Sequence, residues 1–257
     1  MKRVILKVGT STLTQGSSKI MLGKLESIAA EILHLRDSYE IILVSSGAIA
    51  AARQYVALHQ GVDIPAKQAL AAIGQVHLMR LYQEVFADYG LRTSQCLLSY
   101  MDFHQEQSQG NIRSTIETLL QFGYTPIINE NDTVATDEIQ FGDNDKLAAL
   151  TAVLVEADLL ILATDTDGLF TSDPKLNPDA EIVTEVTAVE SWILRTEDTK
   201  STQGSGGMKS KLQAAHIAQQ GGVETWILSG RSSQFVSEAL AGRSVFTKVI
   251  ANESKKL

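Results

Sequence analysis

The chain has 257 residues, of which 44% are hydrophobic and 20% are charged, and its formal net charge at pH 7 is −8. This balance is typical of a globular protein with a full core, and the negative charge disfavours nucleic acid or an anionic membrane as a partner. The single cysteine, Cys96, excludes an intramolecular disulfide and fits a reducing compartment, so we expect a cytoplasmic protein. We interpret Cys96 as a small core residue because it lies in an apolar run. The sequence contains no run of about 18 apolar residues and therefore predicts no membrane span.

Short apolar runs alternate with amphipathic segments along the chain. In chain order, the predicted elements are a strand at 4–6, a helix at 25–33, a strand at 41–44, a helix at about 65–89, a strand at 93–98, a helix at 112–120, a strand at 125–128, a helix at 147–155, a strand at 159–163, a helix at 209–220, and strands at 223–228 and 245–250. Such alternation indicates a mostly parallel sheet that is covered by helices on both faces. The polar segment 168–207 is expected to mark the boundary between two lobes of one domain, 1–257.

The longest predicted helix has its own predicted core face. Apolar residues at helical spacing supply the candidates, which are Leu70, Ile73, Val76, Leu78, Leu81 and Val85.

Two polar motifs follow the first two predicted strands. Ligands of open parallel sheets bind beyond the carboxyl ends of the strands. In Lys7-Val8-Gly9-Thr10-Ser11, the lysine supplies charge and the glycine lets backbone N–H groups approach a phosphate, although a lysine that merely ends a strand explains the motif equally well. In Ser45-Ser46-Gly47-Ala48-Ile49-Ala50, a strand turns into a helix start that can bind an anion, and a plain capping serine is the alternative.

Two further motifs occur in the second half of the chain. Thr164-Asp165-Thr166-Asp167-Gly168 follows a predicted strand, and a simple turn is its alternative explanation. The segment 204–211, GSGGMKSK, opens a helix and combines glycines, serines and lysines in a pattern that is typical of an anion cradle. Neither the G-x-x-x-x-G-K-[ST] motif nor the G-x-G-x-x-G motif occurs, which excludes the usual P-loop and dinucleotide fingerprints.

The segment 128–145, INENDTVATDEIQFGDND, places six carboxylates and three asparagines between two apolar runs. A solvated acidic loop is one interpretation, and a site for a cationic group is the other. Two basic cradles and one acidic segment at strand ends favour a nucleotide beside a small substrate with a positive group. We therefore favour a phosphotransferase over a passive binding module.

The order of these motifs resembles the amino acid kinase family, and the similarity runs from Lys7 to about Ile250. The most specific part is the pair of motifs Asn129-Glu130-Asn131-Asp132 and Gly142-Asp143-Asn144-Asp145, which is similar to kinases that phosphorylate the side-chain carboxylate of glutamate. The resemblance implies a three-layer α/β/α sandwich with a mostly parallel central sheet. The nearest rivals are an acetylglutamate kinase of the same fold and a non-catalytic amino-acid sensor.

The resemblance also implies the site residues and their roles. Lys7 contacts the transferring phosphoryl group, Lys211 contacts the leaving ADP, and Asp145 holds both lysines in place. Glutamate is expected at the residues Ser46, Gly47, Asp132, Asp143 and Asn144. Of these, Asp132 and Asp143 are candidates for the α-ammonium and Asn144 for the α-carboxylate. ATP is expected over the second half of the chain, at Lys7, Gly9, Thr164, Asp165, Ser205, Gly206, Gly207, Met208, Lys209, Ser210 and Lys211.

The remaining expectations concern cofactors and partners. Mg²⁺ is expected to bridge the ATP phosphates, with no protein ligand assigned, and Glu130, Asp137 and Glu138 are interpreted as a solvated face. The resemblance implies feedback inhibition by proline, a homo-oligomer, and contact with the reductase that consumes glutamyl phosphate. Many members of this group continue into an RNA-binding-type domain called PUA, and we expect none here because residue 257 falls where it would begin.

Overall fold

The computed structural model describes residues 1–56, 63–135, 144–198 and 205–252. Its strands are β1 (Lys2–Val8), β2 (Tyr39–Ser45), β3 (Arg92–Leu98), β4 (Tyr124–Glu130), β5 (Leu159–Thr164), β6 (Glu185–Val186), β7 (Glu224–Ser229) and β8 (Thr247–Val249). Its α-helices are α1 (Thr10–Thr14), α2 (Leu22–Leu35), α3 (Ala48–Ala52), α4 (Ile64–Asp88), α5 (Glu106–Gln121), α6 (Asp145–Leu154), α7 (Val189–Asp198), α8 (Ser205–Gln220) and α9 (Phe235–Leu240).

The strands form one sheet in the order β3-β4-β2-β1-β5-β7-β8-β6. Neighbouring strands from β3 to β7 are parallel, whereas β8 runs antiparallel to β7 and β6 pairs with β8 in parallel. The mostly parallel α/β fold predicted from the sequence is therefore confirmed. Because β4, β2, β1, β5 and β7 are parallel neighbours, their carboxyl ends share one edge of the sheet.

Two hydrophobic cores lie on opposite faces of this sheet. One contains Leu6, Leu25 and Leu78, contributed by β1, α2 and α4. The other contains Ile5 and Leu147, contributed by β1 and α6, together with Leu212 of α8. Successive strand residues point to opposite faces, so Lys7 shares the face of Ile5 and lies on the α6 side of β1. This alternation brings Lys7 to the first residue of α6, Asp145.

Helix α4 crosses α3 at a very short distance. A Cβ atom added to Gly74 would lie 1.7 Å from the carbonyl oxygen of Ala48, so only glycine permits this packing. Ala48 is the first residue of α3 and follows Gly47, whose φ of +108° is the left-handed conformation that favours glycine. The crossing therefore fixes the position of the turn that ends β2.

Several expectations need correction. The side chains of Ile73 and Val76 are 41% and 70% exposed, because α4 buries the face that carries Leu70 and Leu78 instead. Cys96 is only half-buried, since β3 is the edge strand of the sheet, and burial raises the pKa of its thiol.

Some elements were not predicted from the sequence, and one predicted strand is too long. The segment 168–207, which was expected to mark a lobe boundary, contains β6 and α7. Helix α9 was not predicted, and the last strand is shorter than expected, with Val245 exposed.

Candidate active site

A single carboxylate joins the two candidate catalytic lysines. Lys7 Nζ lies 2.6 Å from Asp145 Oδ1, and Lys211 Nζ donates a hydrogen bond of 2.9 Å to Asp145 Oδ2. Lys7 comes from the end of β1, Asp145 begins α6, and Lys211 lies in the second turn of α8. Lys7 and Asp145 are fully buried, which disfavours the alternative that Lys7 merely ends a strand. We call this group the Lys7–Asp145–Lys211 cluster.

The cluster carries a net positive charge. Burial alone would raise the pKa of Asp145, but attraction to Lys7 and Lys211 and the hydrogen bonds from both lysines lower it below its ordinary value. Asp145 is therefore an anion at neutral pH, and two ammonium groups share its single negative charge. The cluster leaves about one positive charge at the carboxyl edge of the central strand, where an anionic ligand would be stabilised.

Gly9 leaves space directly beside this charge. A Cβ atom added to Gly9 would lie 3.2 Å from Lys7 Nζ, so a larger residue would crowd the ammonium group. On the neighbouring strand, the N–H of Ser46 donates a hydrogen bond of 3.1 Å to the carbonyl oxygen of Val8. This bond ties the β2 turn at Ser46 and Gly47 to the end of β1, and both predicted motifs therefore lie at one position on the edge.

A chain of amide groups continues from the β2 turn towards α4. Asn144 Nδ2 donates to the carbonyl oxygen of Ser45 at 3.0 Å and to Asn129 Oδ1 at 2.6 Å. Asn129 Nδ2 in turn donates to Gln75 Oε1 at 2.7 Å. The Ser45 hydroxyl lies 2.8 Å from the hydroxyl of Tyr82, which is also on α4. We call Gln75, Asn129, Asn144 and Ser45 the amide relay.

Four buried polar atoms in the relay or near it in the sequence have no hydrogen-bond partner among the described residues. They are Ser46 Oγ, Gln75 Nε2, Asp132 Oδ1 and Asn144 Oδ1. Asp132 is 6% exposed, and burial raises the pKa of its carboxyl to about 6. Its main-chain oxygen accepts a hydrogen bond of 3.0 Å from Gln68 Nε2 of α4. Leaving a buried polar group unpaired costs about 1–3 kcal/mol, so this concentration of unpaired groups is typical of a binding site.

Two expectations for this region change. Glu130 is buried rather than solvated, because β4 extends through Glu130, where that residue pairs with Leu98 of β3 inside the sheet. Asn144 was expected to bind an α-carboxylate, but both hydrogen bonds of its amide nitrogen go to protein acceptors, and only its oxygen remains available. Asp137, Glu138, Gly142 and Asp143 lie outside the described residues.

The expected ATP residues lie on the other side of β1. Thr164 ends β5 and is buried, and Asp165 follows it in an exposed position. Helix α8 begins at Ser205 and contains the predicted residues Gly206, Gly207, Met208, Lys209 and Ser210 in its first turns. Lys211 Nζ also lies 3.4 Å from the carbonyl oxygen of Gly207, so the start of α8 is joined to the Lys7–Asp145–Lys211 cluster.

A cleft of about 560 Å³ opens next to Thr164. The N–H of Gly230 donates a hydrogen bond of 2.7 Å to the carbonyl oxygen of Thr164, and the neighbouring residues Ser229 and Arg231 line the cleft. Its apolar walls are Phe170, Ile182, Leu228, Phe235 and Val245. A cleft with apolar walls at the carboxyl end of parallel strands is the usual place for the base of a nucleotide.

Gln75 and the cleft residues were not predicted from the sequence. Gln75 lies in the middle of α4, where a polar residue on a helix shows no motif. The available signal was its position between Ala71 and Leu78 on the face that the helix buries. The cleft walls come from separate segments that only the fold brings together.

Fold and geometry together define a class, a three-layer α/β/α protein that presents a buried cationic cluster at the carboxyl edge of a parallel sheet. Residues 2–229 match the amino acid kinase family. The chain belongs to this family.

Individual relatives give more detail. The chain is 45% identical over 254 residues to a glutamate 5-kinase from Geobacter sulfurreducens, covering 96% of this chain and 67% of that protein. It is 45% identical over 248 residues to a glutamate 5-kinase from Thermus thermophilus, covering 96% of this chain and 66% of the relative. The chain thus spans about two thirds of the length of these relatives.

Two solved structures share the fold at low sequence identity. Carbamate kinase from Giardia lamblia, bound to AMP-PNP, has a TM-score of 0.69 at 16% identity and covers 98% of this chain and 99% of its own. UMP kinase from Ureaplasma parvum has a TM-score of 0.65 at 17% identity, and the match covers 97% of this chain and 98% of the UMP kinase chain. In the ranges that the structure describes, no helix combines the length and apolarity needed to cross a membrane.

Proposed function

We propose that this chain transfers the γ-phosphoryl group of ATP to the side-chain carboxylate of L-glutamate and forms glutamyl 5-phosphate, the first step of proline biosynthesis. One observation carries the proposal: a buried cationic cluster lies beside a set of unpaired donors and acceptors that complements an α-amino acid. The similarity to glutamate 5-kinases over 96% of the chain supports the same choice.

The reaction needs no general base. The side-chain carboxylate of glutamate has a pKa of about 4.3 and is ionised at neutral pH. One of its oxygens forms a bond to the γ-phosphorus of ATP, the bond from that phosphorus to the bridging oxygen breaks, and ADP leaves with the electron pair. The obstacle is the approach of one anion to another, so catalysis comes from positioning and from positive charge.

The Lys7–Asp145–Lys211 cluster supplies that charge. We assign Lys7 to the transferring phosphoryl group and Lys211 to the leaving ADP, in line with their positions on β1 and α8. Asp145 holds both ammonium groups at fixed positions before the substrates arrive, so little reorganisation is needed during the reaction. The N–H groups of Gly9 and Gly47 assist at the phosphoryl oxygens.

The substrate ammonium group is assigned to Asp132 and Asn144. Asp132 Oδ1 and Asn144 Oδ1 are both acceptors without a partner among the described residues, and an ammonium group offers three donors. This revises the expected role of Asn144 from the α-carboxylate to the α-ammonium. Ser46 and Gly47 remain assigned to glutamate, and Asp143 remains a proposal outside the described residues.

ATP is assigned to the second half of the chain. Its phosphates lie along Gly9, Thr164, Asp165 and the start of α8 at 205–211, and its base enters the cleft beside Phe170. We propose one domain in which the first half binds glutamate and the second half binds the nucleotide.

Magnesium fits this arrangement as an ion carried by ATP. Within the described ranges, no group of three or more His, Cys, Asp or Glu side chains is placed to hold a metal. Mg²⁺ commonly binds through phosphates, waters and only one or two carboxylates, and Asp165 and Asp167 are the exposed carboxylates after β5 that we propose for it. The ion supplies additional positive charge to the phosphates.

Further partners are proposed from the family resemblance. Proline shares the α-amino acid part of glutamate, so we propose that it inhibits by occupying the region around Ser46 and Asp132. A homo-oligomer and contact with glutamyl phosphate reductase are proposed on the same basis.

A coupled assay of ADP release, run with and without glutamate, tests the function. We expect release that depends on glutamate and a hydroxamate product when hydroxylamine is present, because hydroxylamine displaces phosphate from an acyl phosphate. ADP release that is the same without glutamate would contradict the proposal. Binding of glutamate with no turnover would support the amino-acid sensor.

A further inference from the structure

Gln75 is a buried side chain with one unused donor. It lies on α4 and is 9% exposed, and its Oε1 accepts a hydrogen bond of 2.7 Å from Asn129 Nδ2. Its Nε2 has no partner among the described residues. A buried N–H without an acceptor destabilises the free protein, so the position favours a ligand that brings an acceptor.

The polarity of Gln75 is fixed by the main chain. The backbone N–H of Glu130 donates to Asn129 Oδ1 at 2.9 Å, and a backbone N–H can only donate. Asn129 must therefore donate from its Nδ2 to Gln75, and Gln75 must accept with its Oε1. The backbone oxygen of Ser45 fixes Asn144 in the same way, because it can only accept. The two ends of the amide relay thus present opposite groups, a donor at Gln75 and an acceptor at Asn144.

We infer that Gln75 donates a hydrogen bond to the α-carboxylate of the amino-acid substrate and selects for substrates that carry this group. Asp132 Oδ1 and Asn144 Oδ1 can pair only with a donor, which the ammonium group supplies. Gln75 Nε2 can pair only with an acceptor, and the acceptor next to that ammonium is the α-carboxylate. The hydroxyl of Ser46 can serve either group.

This inference rests on the proposed function, since it names the group that recognises one end of the same substrate. Gln68 supports the placement, because it lies two turns before Gln75 on α4 and already contacts the main chain of Asp132. One face of α4 therefore reaches both the ammonium acceptor and the relay.

The test exchanges only the unused donor. Gln75→Glu keeps an oxygen for Asn129 Nδ2 and nearly the same shape, but it replaces Nε2 by an acceptor. We expect kcat/KM for glutamate to fall by about 10- to 100-fold or more, mainly through KM, with KM for ATP unchanged. The matched control is Gln83→Glu, the same change at an exposed position of the same helix, which should leave kcat/KM within twofold.

A second substrate separates recognition from structure. γ-Aminobutyrate carries the side-chain carboxylate and the ammonium group of glutamate but lacks the α-carboxylate. It can be measured as a substrate or as a competitive inhibitor against glutamate. Gln75→Glu should weaken the binding of glutamate strongly and that of γ-aminobutyrate little. The preference for glutamate over γ-aminobutyrate should therefore shrink by about 10-fold or more. Gln75→Met removes the donor, together with the Oε1 that accepts from Asn129, without adding charge, and it should shift the preference in the same direction.

The outcomes are distinct. No glutamate-dependent turnover by the unmodified protein would refute the proposed function itself. Turnover by the unmodified protein together with unchanged kcat/KM in Gln75→Glu would overturn this inference alone. Equal losses for glutamate and γ-aminobutyrate, or failure of both variants to fold, would also overturn it, because the amide would then serve structure rather than selection.

Discussion

Lys7 and Lys211 contact opposite oxygens of one buried carboxylate, although they come from opposite halves of the chain. Neither ammonium group contacts solvent freely, and both point at Asp145 from different secondary structure elements, β1 and α8. The arrangement joins the two halves of the sheet at the point where the proposed phosphoryl transfer occurs.

Replacing Lys211 by methionine should lower kcat by about 10²- to 10³-fold, because one preorganised charge at a transition state is worth about 3–4 kcal/mol. The fold should persist, since Asp145 keeps Lys7 as a partner. The control is Lys2→Met, an exposed lysine on β1 at the opposite edge of the sheet. Steady-state kinetics at saturating ATP and glutamate provide the measurement, and a folded Lys211→Met protein with near-normal kcat would refute the assigned role.

Replacing Asp145 by asparagine should be severely destabilising. Two ammonium groups would remain buried without a negative partner, at a cost of about 3–5 kcal/mol in the free energy of unfolding. Adding Lys211→Met to Asp145→Asn should recover part of that loss, because it removes one of the repelling charges. Urea unfolding of the single and double variants measures this coupling. A double variant less stable than Asp145→Asn alone would contradict the electrostatic explanation.

Replacing Asp132 by asparagine should raise the stability of the substrate-free protein and lower its activity. Its folded pKa of about 6 lies above the ordinary value of 3.8, so stability is lost as the pH rises between these values. Asp132→Asn should therefore raise the unfolding free energy of the substrate-free protein at pH 7, by up to about 3 kcal/mol, and this gain should disappear below about pH 4. The same change should lower kcat/KM for glutamate by about 10²-fold or more.

The pH profile provides an independent check on Asp132. In the unmodified protein, kcat/KM for glutamate should fall below about pH 6, as the free carboxyl becomes protonated. Asp132→Asn should abolish this inflection. An inflection that persists in Asp132→Asn would assign it to another group.

The sequence predicted the strands near the site well because each is a continuous apolar run that ends in a polar motif. It also predicted that four site residues lie at the carboxyl edge of the sheet, since parallel strands share their carboxyl ends. These residues are Lys7, Ser46, Asp132 and Asn144. It did not predict the burial of Glu130 or the amide relay, because burial depends on where β4 ends and hydrogen-bond polarity depends on which main-chain group faces each amide. The exposure of Val76 shows the same limit, since periodicity alone does not choose between two possible faces of a long helix.

The contact of α3 with α4 should be sensitive to a single methyl group. Gly74→Ala would place a Cβ atom against the Ala48 carbonyl oxygen, and we expect a loss of about 1–3 kcal/mol or more together with a higher KM for glutamate, because the Gly47 turn would move. Gly110→Ala is the matched control in α5, where a Cβ atom meets no neighbour within 4 Å. That change should stabilise the protein by about 0.5–1 kcal/mol. Thermal unfolding measures the stability of both variants. Equal stability changes in Gly74→Ala and Gly110→Ala would refute the tight crossing of α3 and α4.

The central claim is that a positively charged α-nitrogen is recognised by Asp132 and Asn144 while the side-chain carboxylate is phosphorylated. The most direct test compares ATP turnover with glutamate and with N-acetylglutamate, with the acyl phosphate trapped by hydroxylamine. N-Acetylglutamate presents a neutral amide and would leave the Asp132 carboxylate unpaired, so we expect kcat/KM to favour glutamate by roughly 10²- to 10³-fold or more. Asp132→Asn should narrow that preference. Equal or faster turnover of N-acetylglutamate by the unmodified protein would contradict the account and favour an acetylglutamate kinase.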